Sequence, residues 1–73
     1  GEHERAMTYY GRALAIDPSY TVARAYLGEA YLLSGDVARA RAELAEVARL
    51  CGTHCPEYAE LSEEFSKAGI AVE

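Results

Sequence analysis

Apolar side chains recur along the whole chain at spacings of three, four and seven residues, which is the pattern of amphipathic α-helices. No segment shows the strict alternation of apolar and polar residues that is typical of a β-strand. The pattern therefore predicts an all-α fold with about four helices. The four apolar stripes consist of Ala6, Tyr10, Ala13 and Leu14; Ala23, Leu27, Ala30 and Tyr31; Val37, Ala40, Leu44, Val47 and Ala48; and Tyr58, Leu61, Phe65 and Ala68.

A proline separates the first two predicted helices. The first covers about residues 4–16, and Pro18 ends it because the residue before a proline is pushed out of the α-helical region. Ser19 is then the expected N-cap of a second helix over about residues 20–33.

A short turn separates the second and third helices. Gly35 suits the left-handed backbone conformation that ends many helices, and Asp36 suits the N-cap of a helix over about 37–50. Two helices joined by so few residues must run antiparallel. The sequence therefore predicts a helical hairpin, which Gly52 ends.

A fourth helix is expected over residues 56–68. Pro56 has the fixed backbone angle that suits the first helical turn, and Gly69 suits the position just after the last turn. Ile70 would then fold back onto Phe65, as the apolar contact of a Schellman-type helix end.

Gly28 interrupts an otherwise good helix-forming sequence. A glycine inside a helix costs about 1 kcal/mol relative to alanine, so its presence needs a packing reason. We expect Gly28 to allow a close approach between the two helices of the hairpin.

The chain repeats itself with a period of 34 residues, the length of one helix-turn-helix unit. This shift places Arg5 on Arg39, Ala6 on Ala40, Tyr10 on Leu44, Ala13 on Val47 and Pro18 on Gly52. Over about residues 3–52 the sequence resembles the tetratricopeptide repeat family. The residues that carry this resemblance are Leu27, Gly28, Tyr31, Gly35, Asp36, Ala40 and Leu44, with Ala6, Tyr10, Ala13, Leu14 and Pro18 matching a preceding second helix.

The resemblance implies a helix-turn-helix solenoid that is cut within a repeat. Residues 1–18 would be the second helix of a truncated repeat, 19–52 one complete repeat, and 53–73 a C-terminal capping helix and tail. The chain would then be the C-terminal end of a longer array.

Two positions depart from the family pattern. Arg24 replaces a large apolar residue, so its aliphatic stem would have to supply the contact, and Gly52 replaces a proline.

The resemblance also implies a non-catalytic scaffold that binds a protein or peptide partner in a groove. The positions that usually face such a groove correspond to Val22, Ala25, Glu29, Leu32 and Leu33. These predict a mostly apolar groove with one carboxylate. The alternative is that the fourth helix covers Leu32 and Leu33 as core and that Glu29 is simply solvated.

The segment CGTHC, residues 51–55, is the second candidate site. Cys51 and Cys55 could form a disulfide if their Cα atoms approach within about 7 Å, or remain free thiols. Together with His54 they could instead bind a metal, although a fourth ligand is missing for a closed zinc site. A metal-binding or redox module is therefore the alternative function.

The longer segment LCGTHCPEY resembles an element found near the C-terminus of bacterial tetratricopeptide proteins, where the cysteine pair bridges the last repeat to the terminal helix. This resemblance favours the disulfide. A disulfide would in turn indicate an oxidising compartment such as the periplasm, whereas free thiols would suit the cytoplasm.

Composition narrows the expected partners. The chain of 73 residues has a net charge of −5, and its arginines are interleaved with glutamates, so it offers no basic stripe for nucleic acid. Its longest uncharged stretch, residues 50–56, is far too short to span a membrane. The sequence has no glycine-rich loop of the kind that binds nucleotide phosphates. We therefore expect a protein that is not an enzyme and binds no cofactor. The incomplete repeat at the start could support self-association.

Overall fold

The computed structural model describes residues 2–72, so that Gly1 and Glu73, at the outer ends of the first and last predicted segments, lie outside the described residues. It contains four helices and, over these residues, no strand, which confirms the all-α prediction. The helices are α1 (Glu2–Ile16), α2 (Thr21–Leu33), α3 (Val37–Cys51) and α4 (Pro56–Lys67). No helix in the described part of the chain combines the length and apolar content needed to cross a membrane.

Side-chain pairs define the directions of the helices. Arg24 of α2 pairs with Glu43 of α3, whereas Tyr31, later in α2, lies under Arg39, earlier in α3. This reversed order shows that α2 and α3 are antiparallel, as the short turn predicts. Conversely, α2 and α4 are parallel, because Thr21 bonds Glu57 while the later Gly28 approaches Leu61.

The turn between α2 and α3 forms as the sequence predicts. Gly35 has a φ of 84°, in the region that favours glycine. The Asp36 side chain accepts a hydrogen bond from the Arg39 backbone N–H at 3.2 Å, which satisfies one of the unpaired donors at the start of α3.

The predicted N-cap of α2 is wrong. Pro18 ends α1 as expected, but α2 begins at Thr21 and its N-cap is Tyr20, which makes no side-chain capping bond. The hydroxyl and the backbone N–H of Ser19 both donate to Oδ1 of Asp17, at 2.6 and 3.1 Å. These two hydrogen bonds lower the pKa of the Asp17 carboxyl. Ser19 therefore completes the turn around Pro18 instead of capping the helix.

The core lies between α2, α3 and α4. A cluster of Ala40, Leu44, Leu61 and Phe65 is buried, and Tyr31, Leu32, Tyr58 and Ile70 pack against it. Within residues 2–72, the first helix packs against α2 alone among the helices and has no fully buried residue. Positions that are equivalent in the 34-residue repeat are thus buried to different extents. Ala40 and Val47 of α3 are fully buried, whereas Ala6 and Ala13, the equivalent residues of α1, are half-buried.

The end of α4 also follows the prediction, one residue early. Gly69 has a φ of 72°, and the Ile70 backbone N–H donates to the Phe65 carbonyl at 3.0 Å, which is the long bond of a Schellman motif. The Arg41 guanidinium donates to the Ala71 carbonyl at 3.1 and 3.3 Å. The segment after α4 is therefore held against the core and α3.

Arg24 makes a stronger contact than its aliphatic stem would provide. Its Nη1 donates to Oε1 of Glu43 at 2.9 Å, and its Nε donates to the Pro18 carbonyl at 3.0 Å. The two side chains are only 19% and 14% exposed. Arg24 therefore links the α1–α2 turn, α2 and α3, with a polar bridge where the family has an apolar side chain.

Gly28 faces a different helix from the one predicted. A Cβ added at this position would lie 2.6 Å from Cδ2 and 2.9 Å from Cδ1 of Leu61. The close approach is therefore between α2 and α4, not between the two helices of the hairpin. The prediction is wrong because helical periodicity gives the buried face of α2 but not which of its two neighbours occupies each part of that face.

We expect Gly28→Ala to destabilise the protein by up to about 2 kcal/mol, because overpacking costs roughly 1–3 kcal/mol and the gain in helix propensity is about 1 kcal/mol. Urea unfolding followed by circular dichroism measures this change. Gly11→Ala is the matched control, since an added Cβ there meets nothing within 4 Å, and it should stabilise the protein by about 1 kcal/mol.

The cost of Gly28→Ala should shrink in a Leu61→Val background, because valine lacks the two Cδ atoms that meet the new methyl group. If Gly28→Ala stabilised the protein as much as Gly11→Ala does, the close contact with Leu61 would be refuted.

Candidate partner-binding groove

A groove with a volume of about 400 Å³ lies where α1 and α4 both pack beside α2. Because α2 and α4 are parallel, the first turns of both helices contribute to the same end of the groove. The volume falls in the range of roughly 300–1,000 Å³ that is typical of ligand pockets. The groove is lined by Tyr10, Val22, Ala25, Tyr26, Glu29, Pro56, Glu57 and Glu60.

The structure brings together three of the five residues that the sequence predicts for partner contact. Val22, Ala25 and Glu29 all line the groove, and Val22 is 45% exposed. Leu32 is half-buried and packs against the core cluster, as the alternative interpretation has it. Leu33 is 82% exposed and lies outside the groove lining.

Five further lining residues are not predicted from the sequence: Tyr10, Tyr26, Pro56, Glu57 and Glu60. The repeat period contains part of the missing signal. A shift of 34 residues carries Val22 onto Pro56 and Tyr26 onto Glu60, so the period maps two groove positions of α2 onto α4. The resulting groove is more acidic than predicted, with three carboxylates instead of one.

Burial affects one of these carboxylates, that of Glu29. Partial desolvation raises the pKa of Glu29, and the nearby carboxylates of Glu64 and Glu60 raise it further, while Lys67 opposes them. Glu57 is tied to α2, since the Thr21 hydroxyl donates to its Oε1 at 3.1 Å. The groove therefore holds concentrated negative charge that the protein itself neutralises only weakly.

We expect Glu29→Gln to raise the melting temperature at neutral pH. A carboxyl whose pKa is raised by folding favours the folded state when protonated and opposes it when ionised, so the benefit of the neutral glutamine is largest above that pKa. As the pH falls through the folded-state pKa of Glu29, wild type should gain relative to the variant and the difference should disappear.

Thermal unfolding at neutral pH and at pH 3 measures this effect. Glu63→Gln is the control, because Glu63 is exposed and its carboxylate lies 3.7 Å from Lys67 Nζ. Its removal should give no rise in melting temperature. A Glu29→Gln variant that melts below wild type at neutral pH would contradict the prediction.

Two tyrosines form the aromatic part of the groove. The rings of Tyr10 and Tyr26 lie 4.7 Å apart between centroids, with their planes tilted by 33°. Tyr9 contacts the outer side of Tyr10 edge to face, at 5.2 Å. The stacked pair packs α1 against α2 and places aromatic carbon and phenol groups beside the carboxylates.

The cysteine pair forms a disulfide beside the groove. It joins Cys51, the last residue of α3, to Cys55, the N-cap of α4, with a Cα–Cα distance of 6.0 Å. The ligand atoms of Cys51, Cys55 and Glu57 lie within 4.8 Å of one another. His54 is exposed and is not part of that group, so the predicted metal set of Cys51, His54 and Cys55 is not the set that the structure brings together.

A second depression, of about 490 Å³, follows the outer face of α1. Residues of this one helix alone, between Glu4 and Arg12, line it. A site enclosed by several elements is a better candidate than a surface along one helix. The groove between α1, α2 and α4 is therefore the principal candidate site.

Comparison with known proteins agrees with this architecture. The sequence profile of the family described as tetratricopeptide repeat matches residues 1–64. The chain therefore belongs to the tetratricopeptide repeat family. Repeats of this family generally mediate protein–protein interaction and are typically non-catalytic scaffolds. No curated protein and no solved structure matches the chain significantly.

Proposed function

We propose that this chain is a non-catalytic interaction module that presents the groove between α1, α2 and α4 to a peptide or protein partner. The observation that carries the proposal is the groove itself. It gathers Val22, Ala25 and Glu29 from α2 and closes them in with residues of two further helices. Leu32 packs against the core cluster instead, and Leu33 is exposed outside the groove lining.

The composition of the groove suits an extended or helical peptide segment. Its apolar and aromatic residues provide contact area, and its carboxylates provide polar contacts that fix orientation. Three helices supply its walls, and α2 and α4 are held to one another through the core. The part of the groove formed by α2 and α4 is therefore preformed, which lowers the entropy lost on binding.

Selection of random twelve-residue peptides displayed on phage tests this proposal. Peptides enriched on the wild-type chain should bind Val22→Trp at least about tenfold more weakly, because the indole ring fills the groove from a partly exposed position, and a tenfold loss is about 1.4 kcal/mol. They should bind Ile16→Trp normally, since Ile16 is exposed and lies outside the groove.

Failure to enrich any peptide, or equal affinity for both tryptophan variants, would overturn the proposal. Sedimentation at several concentrations should accompany the selection, because association through the exposed face of α1 would be a binding activity of a different kind.

The alternative function is a metal-binding or redox module centred on the cysteine pair. The proximity of the Cys51, Cys55 and Glu57 ligand atoms favours it, because reduction would release two thiols beside a carboxylate. Mass spectrometry after reduction, followed by zinc titration and dialysis, tests it. Stoichiometric retention of zinc would support this alternative, and loss of all zinc would reject its metal-binding form.

A further inference from the structure

We infer that the groove holds an arginine side chain from a basic segment of a partner protein. The inference rests on the proposed function and names the chemistry of its partner. The groove carboxylates would accept hydrogen bonds from the guanidinium group, and the tyrosine rings would contact its planar face.

The charge of the groove is complementary to a cationic side chain. Glu29, Glu57 and Glu60 project from two parallel helices into one groove, and no lysine or arginine belongs to its lining. Lys67, whose charge acts against the raised pKa of Glu29, lies within 3.7 Å of the Glu63 and Glu64 carboxylates and so is already engaged. A cationic partner group would therefore meet concentrated negative charge in a partly desolvated site, where attraction is stronger than in bulk water.

The groove also has an aromatic wall. A guanidinium stacks on aromatic rings, and this attraction is stronger when water is excluded. Tyr10 and Tyr26 provide such a wall next to the carboxylates. Val22, Ala25 and Pro56 add apolar surface for the methylene groups of the arginine and for neighbouring residues of the peptide.

The spread of the carboxylates favours arginine over a metal ion. A metal ion needs several ligand atoms close together. Within residues 2–72, three potential ligand atoms lie within 4.8 Å of one another only at Cys51, Cys55 and Glu57, and the three groove glutamates are more widely separated. A guanidinium has five donors in a rigid planar fork and can bond separated carboxylates at once, which a lysine ammonium does less well.

Fixed-centre peptide pools test the inference. Fluorescent nonapeptide pools are synthesised with mixed flanking residues and one central residue, either arginine, lysine, citrulline or glutamate, and fluorescence anisotropy measures binding. The arginine pool should bind wild type about tenfold more tightly than the citrulline pool, which is about 1.4 kcal/mol, because a charged guanidinium makes stronger hydrogen bonds to carboxylates than a neutral group does. Citrulline keeps the shape of arginine but removes the charge. Salt should weaken this preference.

Two double variants locate the effect. Glu29→Gln with Glu60→Gln should remove the preference for arginine over citrulline. Glu46→Gln with Glu63→Gln changes the net charge equally at positions outside the groove lining and should preserve it. Circular dichroism verifies that both variants remain folded. Equal loss in both variants would show a bulk charge effect and overturn the inference.

The outcomes also separate the inference from the proposed function. If the citrulline and arginine pools bound equally and Val22→Trp abolished both, the groove would bind peptides but not through arginine, and only the inference would fail. If no pool bound but phage-selected peptides did, the inference alone would again fail, and if neither bound, the proposed function would fail with it.

Discussion

Phe65→Ala is expected to remove most of the stability of the folded chain at 25 °C. Phe65 is the largest fully buried side chain of residues 2–72, and it packs with Leu61, Leu44 and Ala40 at the junction of α3 and α4. Replacing a buried phenylalanine by alanine costs about 3–5 kcal/mol, through lost burial and the cavity that remains. Domains of this size sit near the low end of the usual stability range of roughly 5–15 kcal/mol.

Circular dichroism at 222 nm during urea unfolding measures this loss. Phe65→Leu should recover a large part of it, because leucine refills most of the cavity with apolar atoms. Ile16→Ala is the control for truncation of an exposed apolar side chain, and it should change stability by no more than about 0.5 kcal/mol. If Phe65→Ala and wild type shared one unfolding midpoint, the buried position of Phe65 would be refuted.

Reduction of the Cys51–Cys55 disulfide should lower the free energy of unfolding by about 2 kcal/mol. This value follows from the chain-entropy relation for a closed loop of five residues, which gives less stabilisation than a longer loop would. For a domain of this length the melting temperature should fall by roughly 8–16 °C, at about 4–8 °C per kcal/mol.

The experiment compares thermal unfolding with and without a reductant. The double variant Cys51→Ser with Cys55→Ser should melt near reduced wild type and should not respond to the reductant, because the sequence has only these two cysteines. Identical melting of oxidised and reduced wild type would show that the turn between α3 and α4 is fixed without the disulfide.

The sequence predicts the helices well because local signals determine their ends. Gly35 and Asp36 fix the turn before α3 through backbone conformation and capping, and Pro56 fixes the start of α4. Each of these effects acts within a few residues, so a single sequence contains it in full. Helical ends at 33, 51 and 67 accordingly lie within one residue of their predicted positions.

Predictions that depend on tertiary neighbours succeed less often. Helical periodicity places Gly28 on the buried face of α2 but cannot distinguish contact with α3 from contact with Leu61 of α4. The bond between Arg24 and Glu43 joins residues 19 positions apart, and no local rule anticipates it. The prediction of Ser19 as the N-cap of α2 fails because its hydroxyl donates to the Asp17 carboxylate instead. Asp17 lies on the other side of Pro18, outside the sequence window in which an N-cap is recognised.

The groove illustrates the same limit. Val22, Ala25 and Glu29 follow from their positions within one repeat, but Tyr10 and Glu57 join them only because α1 and α4 flank α2. The repeat period indicates equivalent positions on α2 and α4, yet the identities of the side chains there differ. The acidic character of the site therefore emerges from packing and not from any one motif.

The unequal anchoring of the helices has a mechanical consequence for the groove. Two of its walls, α2 and α4, share the buried core, whereas α1 buries no residue completely and touches α2 alone among the helices of residues 2–72. Local opening is least costly where few apolar atoms are buried. A bulky partner would therefore widen the groove by displacing α1, at a small cost in free energy. The wall formed by α2 and α4 would keep its geometry and set the position of the bound peptide.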